Sequence, residues 1–164
     1  MMCFFLTQGA HIRANRKKVR EEENKIMSTI QVYKGYQVDP PIPKPAKRVQ
    51  PNIVTVQDGI PLTFTGSEVV NVRVLHPTNS KAPSKNFSIS MLYIPPHATL
   101  SVGSHYNEEC YSILRGRGTM TLAGKQVEVR AGMFIHLPSW CEHGVDNTGE
   151  ESLEILVCTS PPNP

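Results

Sequence analysis

The feature of this sequence that most constrains its fold is a series of short β-forming segments, each closed by glycine or proline. The segments are rich in β-branched and aromatic residues. They lie at 53–56, 69–75, 87–94, 110–114, 118–122, 126–129, 133–137 and 153–158. Many short strands separated by turn residues are typical of an all-β sandwich or barrel. We therefore expect residues 53–160 to form one antiparallel β-barrel or sandwich with little helix.

The chain before this region has a different composition, so we expect an N-terminal extension over 1–52 and a barrel domain over 53–164. Residues 10–26 are polar, with mixed charge and no clear apolar stripe, which is typical of a solvated or disordered segment. Residues 39–51 contain five prolines. This part reads as an extended arm in polyproline conformation.

Charge and hydrophobicity indicate neither a nucleic-acid nor a membrane partner. The net charge is only +3, and the basic residues near the N-terminus are followed at once by Glu21 to Glu23. No stretch approaches the roughly 18 apolar residues that a membrane span requires. We therefore expect a small-molecule substrate as the binding partner.

The cysteines favour a cytoplasmic protein. The four cysteines are scattered and form no CxxC pair, so reduced thiols are expected in place of a disulfide framework. The apolar start of the chain, residues 1–6, is too short for a signal-peptide core and is not led by basic residues. Translation could start at Met27 as readily as at Met1.

His105 and Glu109 are the first pair of side chains that suggests a site. If residues 105–113 form a strand, residues four apart point to the same face, and Tyr111 and Ile113 follow on that face. An imidazole and a carboxylate on one face can supply two ligands to a divalent metal.

His143 is the third candidate ligand. It follows two further predicted strands, and a closed barrel would return it to the first pair. Two histidines and one carboxylate form the facial arrangement of non-haem Fe(II) enzymes, and Mn or Ni also suit these ligands. Each histidine taken alone is more often a surface or core residue than a ligand. The metal hypothesis therefore depends on the pattern that surrounds all three residues.

That pattern resembles the two motifs of the cupin superfamily. The first motif is G-x5-H-x-H-x3-4-E-x6-G, and from its second histidine onward it is matched by His105, Glu109 and Gly116. The second motif is G-x5-P-x-G-x2-H-x3-N, and it is matched by Gly132, Pro138, His143 and Asn147. The resemblance covers about residues 70–158.

The resemblance implies a small, single-domain, jelly-roll-like cupin barrel behind an N-terminal arm. By resemblance, His105, Glu109 and His143 would hold a divalent metal inside the barrel, with Fe(II) or Mn(II) favoured and Ni or Zn as further options. Because cupin-like barrels commonly pair, a homodimer is also expected.

Two departures from the motifs shape the expected site. Gly103 stands where the family has its first histidine, and Trp140 stands where the second motif has its second glycine. His136 is a candidate to fill the gap near the barrel mouth, although a polar surface residue is the alternative interpretation. Tyr111, on the inward face, is the better candidate for acid/base catalysis.

The expected function is that of a metal-dependent enzyme acting on small molecules, most simply a dioxygenase-like oxidoreductase. Lyase, isomerase, decarboxylase or polyketide-cyclase chemistry is the alternative, and a non-catalytic binding cupin is the second alternative. We also expect an apolar pocket that suits an aromatic or medium-sized organic molecule better than a sugar. Its candidate lining residues are Met91, Phe134, Trp140 and Leu156.

Overall fold

The structure is a computed structural model that describes residues 32–35 and 37–164. Residues 50–164 form one compact unit. The described residues before it contain neither helix nor strand. The expectations for residues 10–26 and for Met27 fall outside the described residues. Over the described part of the chain, no helix has the length and apolar character needed to cross a membrane.

The compact unit is built almost entirely of strands, which confirms the all-β prediction. A single 3₁₀ turn at Val56–Asp58 precedes ten strands. The strands are β1 (Ile60–Thr63), β2 (Val70–Leu75), β3 (Ser88–Ile94), β4 (Thr99–Gly103), β5 (Glu108–Arg115), β6 (Arg117–Leu122), β7 (Lys125–Arg130), β8 (Phe134–Leu137), β9 (His143–Asp146) and β10 (Leu153–Ser160).

The strands form two antiparallel sheets around one core. The larger sheet has the order β1-β2-β3-β10-β5-β8, and the smaller sheet has the order β4-β9-β6-β7. Side chains from both sheets meet in the core, including Ile94 and Ile155 from the larger sheet and Met120 and Val145 from the smaller. This is the jelly-roll-like arrangement that the resemblance to the cupin motifs implied.

The inner face of the larger sheet changes from apolar to polar along its strands. At one end, Ile113 of β5 lies opposite Ile155 of β10. At the other end, Glu109 of β5 lies opposite Thr159 of β10, which in turn lies opposite Ser88 of β3. The apolar end packs into the core, and the polar end is left to line a cavity.

Three strands were not predicted, and one predicted strand is wrong. Residues 53–56 do not form a strand, because Asp58 accepts hydrogen bonds from the backbone N–H and the hydroxyl of Thr55, both at 2.9 Å. These bonds bend the chain into the 3₁₀ turn. Strands β1, β4 and β9 escaped prediction because none of them contains a continuous apolar run: β1 contains a proline, and β4 and β9 contain a glycine and polar residues.

Asn147 holds together the loops at one end of the barrel. Its buried amide nitrogen donates to the carbonyl oxygens of Ile94 at 2.8 Å, Pro95 at 3.0 Å and Glu151 at 2.8 Å. Its side-chain oxygen accepts from the backbone N–H of Gly149 at 2.9 Å. The final asparagine of the second motif therefore has a structural role in this chain, which is to join these loops through hydrogen bonds.

Replacing Asn147 by alanine removes these bonds and leaves several buried backbone groups without partners. We expect Asn147→Ala to lower the free energy of unfolding by about 3 kcal/mol. Chemical denaturation followed by circular dichroism measures the change. The control is Asn52→Ala, at an exposed position, which should stay within about 0.5 kcal/mol of the wild type. An equal, small effect in both variants would contradict this account of Asn147.

Candidate metal centre

Three separate parts of the barrel bring His105, Glu109 and His143 together. Glu109 points inward from β5, His143 begins β9 in the other sheet, and His105 lies in the loop between β4 and β5. One potential ligand atom from each residue lies within 4.8 Å of the other two. The Nε2 atoms of His105 and His143 are each 3.5 Å from Oε2 of Glu109.

The route by which His105 reaches this cluster differs from the prediction. It was expected on one strand with Glu109, but β5 begins only at Glu108 and residue 105 has no strand conformation. The backbone N–H of Trp140 donates to the carbonyl oxygen of His105 at 2.7 Å and so fixes the loop that carries His105 at the barrel mouth. The alternation argument does hold from Glu109 onward, where Tyr111 and Ile113 are also buried.

Neighbouring groups fix the orientation of two of the three side chains. Nδ1 of His143 lies 2.9 Å from the carbonyl oxygen of Cys141, which can only accept a hydrogen bond. Nδ1 therefore carries a proton that it donates to this carbonyl, and Nε2 is the ring atom that faces Glu109 and could bind a metal. Oε1 of Glu109 accepts a hydrogen bond from the hydroxyl of Thr159 at 2.9 Å.

The remaining polar atoms of the cluster lack partners. Oε2 of Glu109 and Nδ1 of His105 are buried without a hydrogen bond. A buried carboxylate oxygen without a partner is costly. A cation placed between this oxygen and the two Nε2 atoms would supply the missing partner. The donor set of two imidazoles and one carboxylate therefore fits a divalent transition metal such as Fe(II), Mn(II), Ni(II) or Zn(II).

Tyr111 lies directly behind the cluster. It is buried, and its ring meets the ring of His143 edge-on, with 5.8 Å between centroids. Burial raises the pKa of Tyr111 well above its usual value, and the nearby Glu109 carboxylate raises it further. The phenol therefore keeps its proton and can serve as a hydrogen-bond donor or an acid; its catalytic role stays a prediction.

His136 is not part of the cluster; of the two interpretations given for it, the structure agrees with a polar surface residue. It lies opposite Cys110 on β5, whereas its neighbours Ile135 and Leu137 lie opposite Tyr111 and Glu109. The alternation of β8 therefore turns His136 to the outer face. There its Nε2 lies 2.6 Å from a carboxylate oxygen of Glu108, and its side chain is 63% exposed.

The two motif departures have clear structural consequences. A Cβ atom added to Gly103 would meet no atom within 4 Å, so the position of the missing histidine is open space beside the cluster. Trp140 has a φ of 66°, in the left-handed region that favours glycine. The second glycine of the motif therefore corresponds to a position with left-handed backbone conformation, which Trp140 adopts in this chain.

The cavity in front of the cluster is more polar than predicted. It has a volume of about 440 Å³. Its wall includes the hydroxyls of Ser88, Ser90 and Thr159 together with apolar patches from Leu92 and Val157.

None of the four predicted apolar lining residues reaches the cavity. Met91 and Leu156 face away from it, because their neighbours Leu92 and Val157 line the cavity and strand alternation sends adjacent residues to opposite faces. Phe134 and Trp140 are 76% and 68% exposed. The four residues were therefore assigned to the wall wrongly, and the apolar part of the wall comes from other side chains, including Leu62, Leu92 and Val157.

Fold and site together define a small jelly-roll barrel with a buried cluster of two histidines and one carboxylate. A family model described as a cupin domain matches residues 90–159. An uncharacterized protein of Methanocaldococcus jannaschii is 34% identical over 111 residues, which cover 67% of this chain and 87% of that protein. This chain belongs to the cupin superfamily, as the two motifs indicated.

Two further proteins are similar to parts of this chain. An oxalate-binding protein of Thermotoga maritima is 36% identical over 65 residues, which are 39% of this chain and 54% of that protein. The structure of the polyketide cyclase RemF from Streptomyces resistomycificus superposes with a TM-score of 0.57 at 19% identity. That superposition covers 67% of this chain and 81% of the cyclase, and it shows a shared fold.

The cluster makes a direct prediction about metal binding. We expect His143→Ala to weaken the binding of Mn(II) at least about 100-fold, because one of three ligands is lost. His136→Ala removes an exposed histidine on the outer face and should leave binding unchanged. Titration calorimetry and metal analysis of the purified variants measure both effects. Equal losses in the two variants, or full metal content in His143→Ala, would rule out the assignment.

The buried phenol predicts how stability depends on alkaline pH. Because the pKa of Tyr111 is raised above its ordinary value of 10.0, the unfolded chain releases this proton at a lower pH than the folded protein. Stability should therefore fall as the pH rises above about 10, by up to about 1.4 kcal/mol per pH unit for this one group. Denaturation at several alkaline pH values tests this. In Tyr111→Phe the free energy of unfolding should decrease less steeply with pH. An identical decrease in the variant and the wild type would contradict the prediction.

Proposed function

We propose that this protein is a divalent-metal-dependent enzyme that acts on a small molecule, with dioxygenase-type oxidation as the reaction and Fe(II) or Mn(II) as the metal. The observation that carries the proposal is the unpartnered Oε2 atom of Glu109. It is buried, and it faces the Nε2 atoms of His105 and His143 at 3.5 Å each. This arrangement is the one that a metal-binding facial triad requires.

The chain's own residues would hold the metal on one side and leave its other side open. A six-coordinate ion with three protein ligands has about three free positions, and when bound it supplies a Lewis acid and a binding place for substrate and dioxygen. Gly103 leaves open space at that point of the cavity. A substrate held through two oxygen atoms would occupy this open space.

Tyr111 would supply the proton. Its hydroxyl stays protonated, and the residue lines the same cavity as the three candidate ligands. A phenol held in this way can donate a hydrogen bond or a proton to a substrate oxygen on which negative charge develops. Thr159 and the carbonyl of Cys141 keep the two ligands that they contact in place during this step.

A non-redox function is the second candidate. The oxalate-binding relative, 36% identical over its matched segment, supports a protein that binds a small acid. A lyase, isomerase, decarboxylase or cyclase would use the same metal as a Lewis acid together with Tyr111 as the proton donor. These alternatives need no dioxygen, which makes them separable by experiment.

Oxygen consumption distinguishes the two candidates. We expect the Fe(II)-loaded protein to consume dioxygen when it is supplied with a suitable β-diketone or dihydroxy-aromatic compound, and His143→Ala to lose this activity. His136→Ala is the control and should retain it. Turnover at an undiminished rate under strict anaerobiosis would contradict the oxygenase proposal and favour the Lewis-acid alternative. Absence of turnover with every metal would favour a binding protein.

We also propose that the protein pairs as a homodimer in the cytoplasm. Apolar side chains on the outer face of the larger sheet remain exposed, such as Phe134 at 76% and Leu114 at 51%. Large exposed apolar residues of this kind mark candidate interaction surfaces. Light scattering on the purified protein would show two chains per particle if this is correct.

A further inference from the structure

Residues 161–164 follow β10 and form part of the cavity wall. Strand β10 lies between β3 and β5 in the larger sheet, and near its end Thr159 lies opposite Glu109. From this polar end of the sheet the chain continues over the cavity, where Asn163 and Pro164 belong to the lining. We call residues 161–164 the strap.

The strap crosses the polar end of the larger sheet from one side to the other. It begins beside β5, where the side-chain amide of Asn107 donates to the carbonyl oxygen of Pro161 at 2.8 Å. It reaches β2, where the guanidinium of Arg73 donates to the oxygen of Pro164. Because β3 and β10 lie between β2 and β5, the strap spans the ends of these strands and covers the cavity on this side.

His76 provides a further anchor close to β2. Its Nδ1 accepts from the backbone N–H of Thr78 at 3.2 Å, so its Nε2 donates to the carbonyl oxygen of Asn163 at 2.8 Å. Both His76 and Arg73 line the cavity. Oxygen atoms of the chain itself therefore occupy two donors that would otherwise face a ligand.

Hydrogen bonds, and not apolar packing, hold the strap in place. Pro161 and Pro164 are exposed, and none of the four strap residues belongs to the core cluster of the described barrel. The anchoring groups are firmly placed, since His76 and Asn107 are 1% and 3% exposed. A segment with few buried apolar contacts can detach locally while the rest of the fold stays intact.

The anchor beside β5 belongs to the loop that carries a candidate metal ligand. Asn107 lies two residues after His105 and two residues before Glu109, and it is not part of the cavity lining. The strap is therefore attached at one end close to the candidate metal ligands and at the other end to β2. Its detachment would open the cavity along this whole side.

We propose that the strap is a releasable, autoinhibitory lid of the cavity. When the lid is closed, as in this structure, the oxygens of Asn163 and Pro164 compete with a ligand for His76 and Arg73. When the lid is open, both donors face the cavity, and a ligand that carries hydrogen-bond acceptors can reach them. The inference goes beyond the proposed function and does not depend on a bound metal.

Chemical modification of histidines in metal-free protein measures the opening of the lid. Diethyl pyrocarbonate reacts with accessible imidazoles, and mass spectrometry gives the rate at each histidine separately. His76 should react at least about 100-fold more slowly than the exposed His136, because three hydrogen bonds keep the lid closed over it. The ratio of these two rates is the measured quantity, so that differences in reagent between samples cancel.

Two variants weaken the lid from its opposite ends. Asn107→Ala removes the bond to Pro161, and Arg73→Met removes the bond to Pro164 but keeps a long unbranched side chain. Each should raise the ratio about fivefold or more, because the closed state loses one hydrogen bond. The matched control is Asn86→Ala, at an exposed asparagine whose backbone oxygen, and not its side chain, contacts Ser160. Its ratio should equal that of the wild type.

Asn147→Ala distinguishes opening of the lid from unfolding of the barrel. Asn147 contacts Ile94 at one end of β3, whereas the strap crosses the other end, at Ser88. The substitution should destabilise the barrel as a whole and lower the midpoint of thermal unfolding. Because the lid opens locally, the ratio for His76 should nevertheless stay at the wild-type value.

Three results would overturn the inference. The first is a His76 that reacts as fast as His136 in the wild type, because the strap would then not cover it. The second is an unchanged ratio in both Asn107→Ala and Arg73→Met; if Asn107→Ala does not fold, Arg73→Met alone decides. The third is a ratio that rises in Asn147→Ala as much as in the lid variants, which would assign the reaction to global unfolding.

Discussion

Glu109 sits inside the barrel with one carboxylate oxygen bonded to Thr159 and the other facing the Nε2 atoms of His105 and His143. A polar group buried in this way has to be matched by its surroundings, because its second oxygen is buried and has no hydrogen-bond partner among the described residues. The two sheets meet this requirement jointly. The larger sheet supplies Glu109 and Thr159, whereas the smaller sheet supplies His143, and a loop between the sheets supplies His105. The three side chains therefore lie next to one another only when the two sheets pack together.

Much of this could be predicted from sequence, because both the strands and the motifs have short-range signatures. The β-branched runs between glycine and proline gave most strands to within a residue or two, and the spacing of Glu109, Tyr111 and Ile113 correctly placed all three on the inner face. The loop conformation of His105 was missed, since four-residue spacing is compatible with both a strand and a turn back toward Glu109. The loop conformation is held by the hydrogen bond from the backbone N–H of Trp140 to the carbonyl oxygen of His105. This bond joins distant parts of the chain and has no signature in the local sequence.

Most of the errors in the predicted cavity wall have one physical cause, which is that adjacent residues of a strand point to opposite faces. Moving by one residue along a strand exchanges the inner and outer faces. His136, Met91 and Phe134 were each placed inside, although their strand neighbours are the residues that face inward. The outward direction of His136 could have been predicted from the sequence. Its neighbours Ile135 and Leu137 are both apolar, and a strand with one buried face would turn those two inward and His136 outward.

The central claim is that His105, Glu109 and His143 hold one metal ion, and anomalous diffraction from crystals grown with Mn(II) tests it most directly. The account predicts a single strong anomalous peak inside the barrel, about 2.0–2.3 Å from Nε2 of each histidine and from Oε2 of Glu109. The peak should lie next to the open space at Gly103, with further density on that side from water or a small anion. A barrel interior without a peak, or an ion held by other side chains such as His136 and Glu108, would contradict the account.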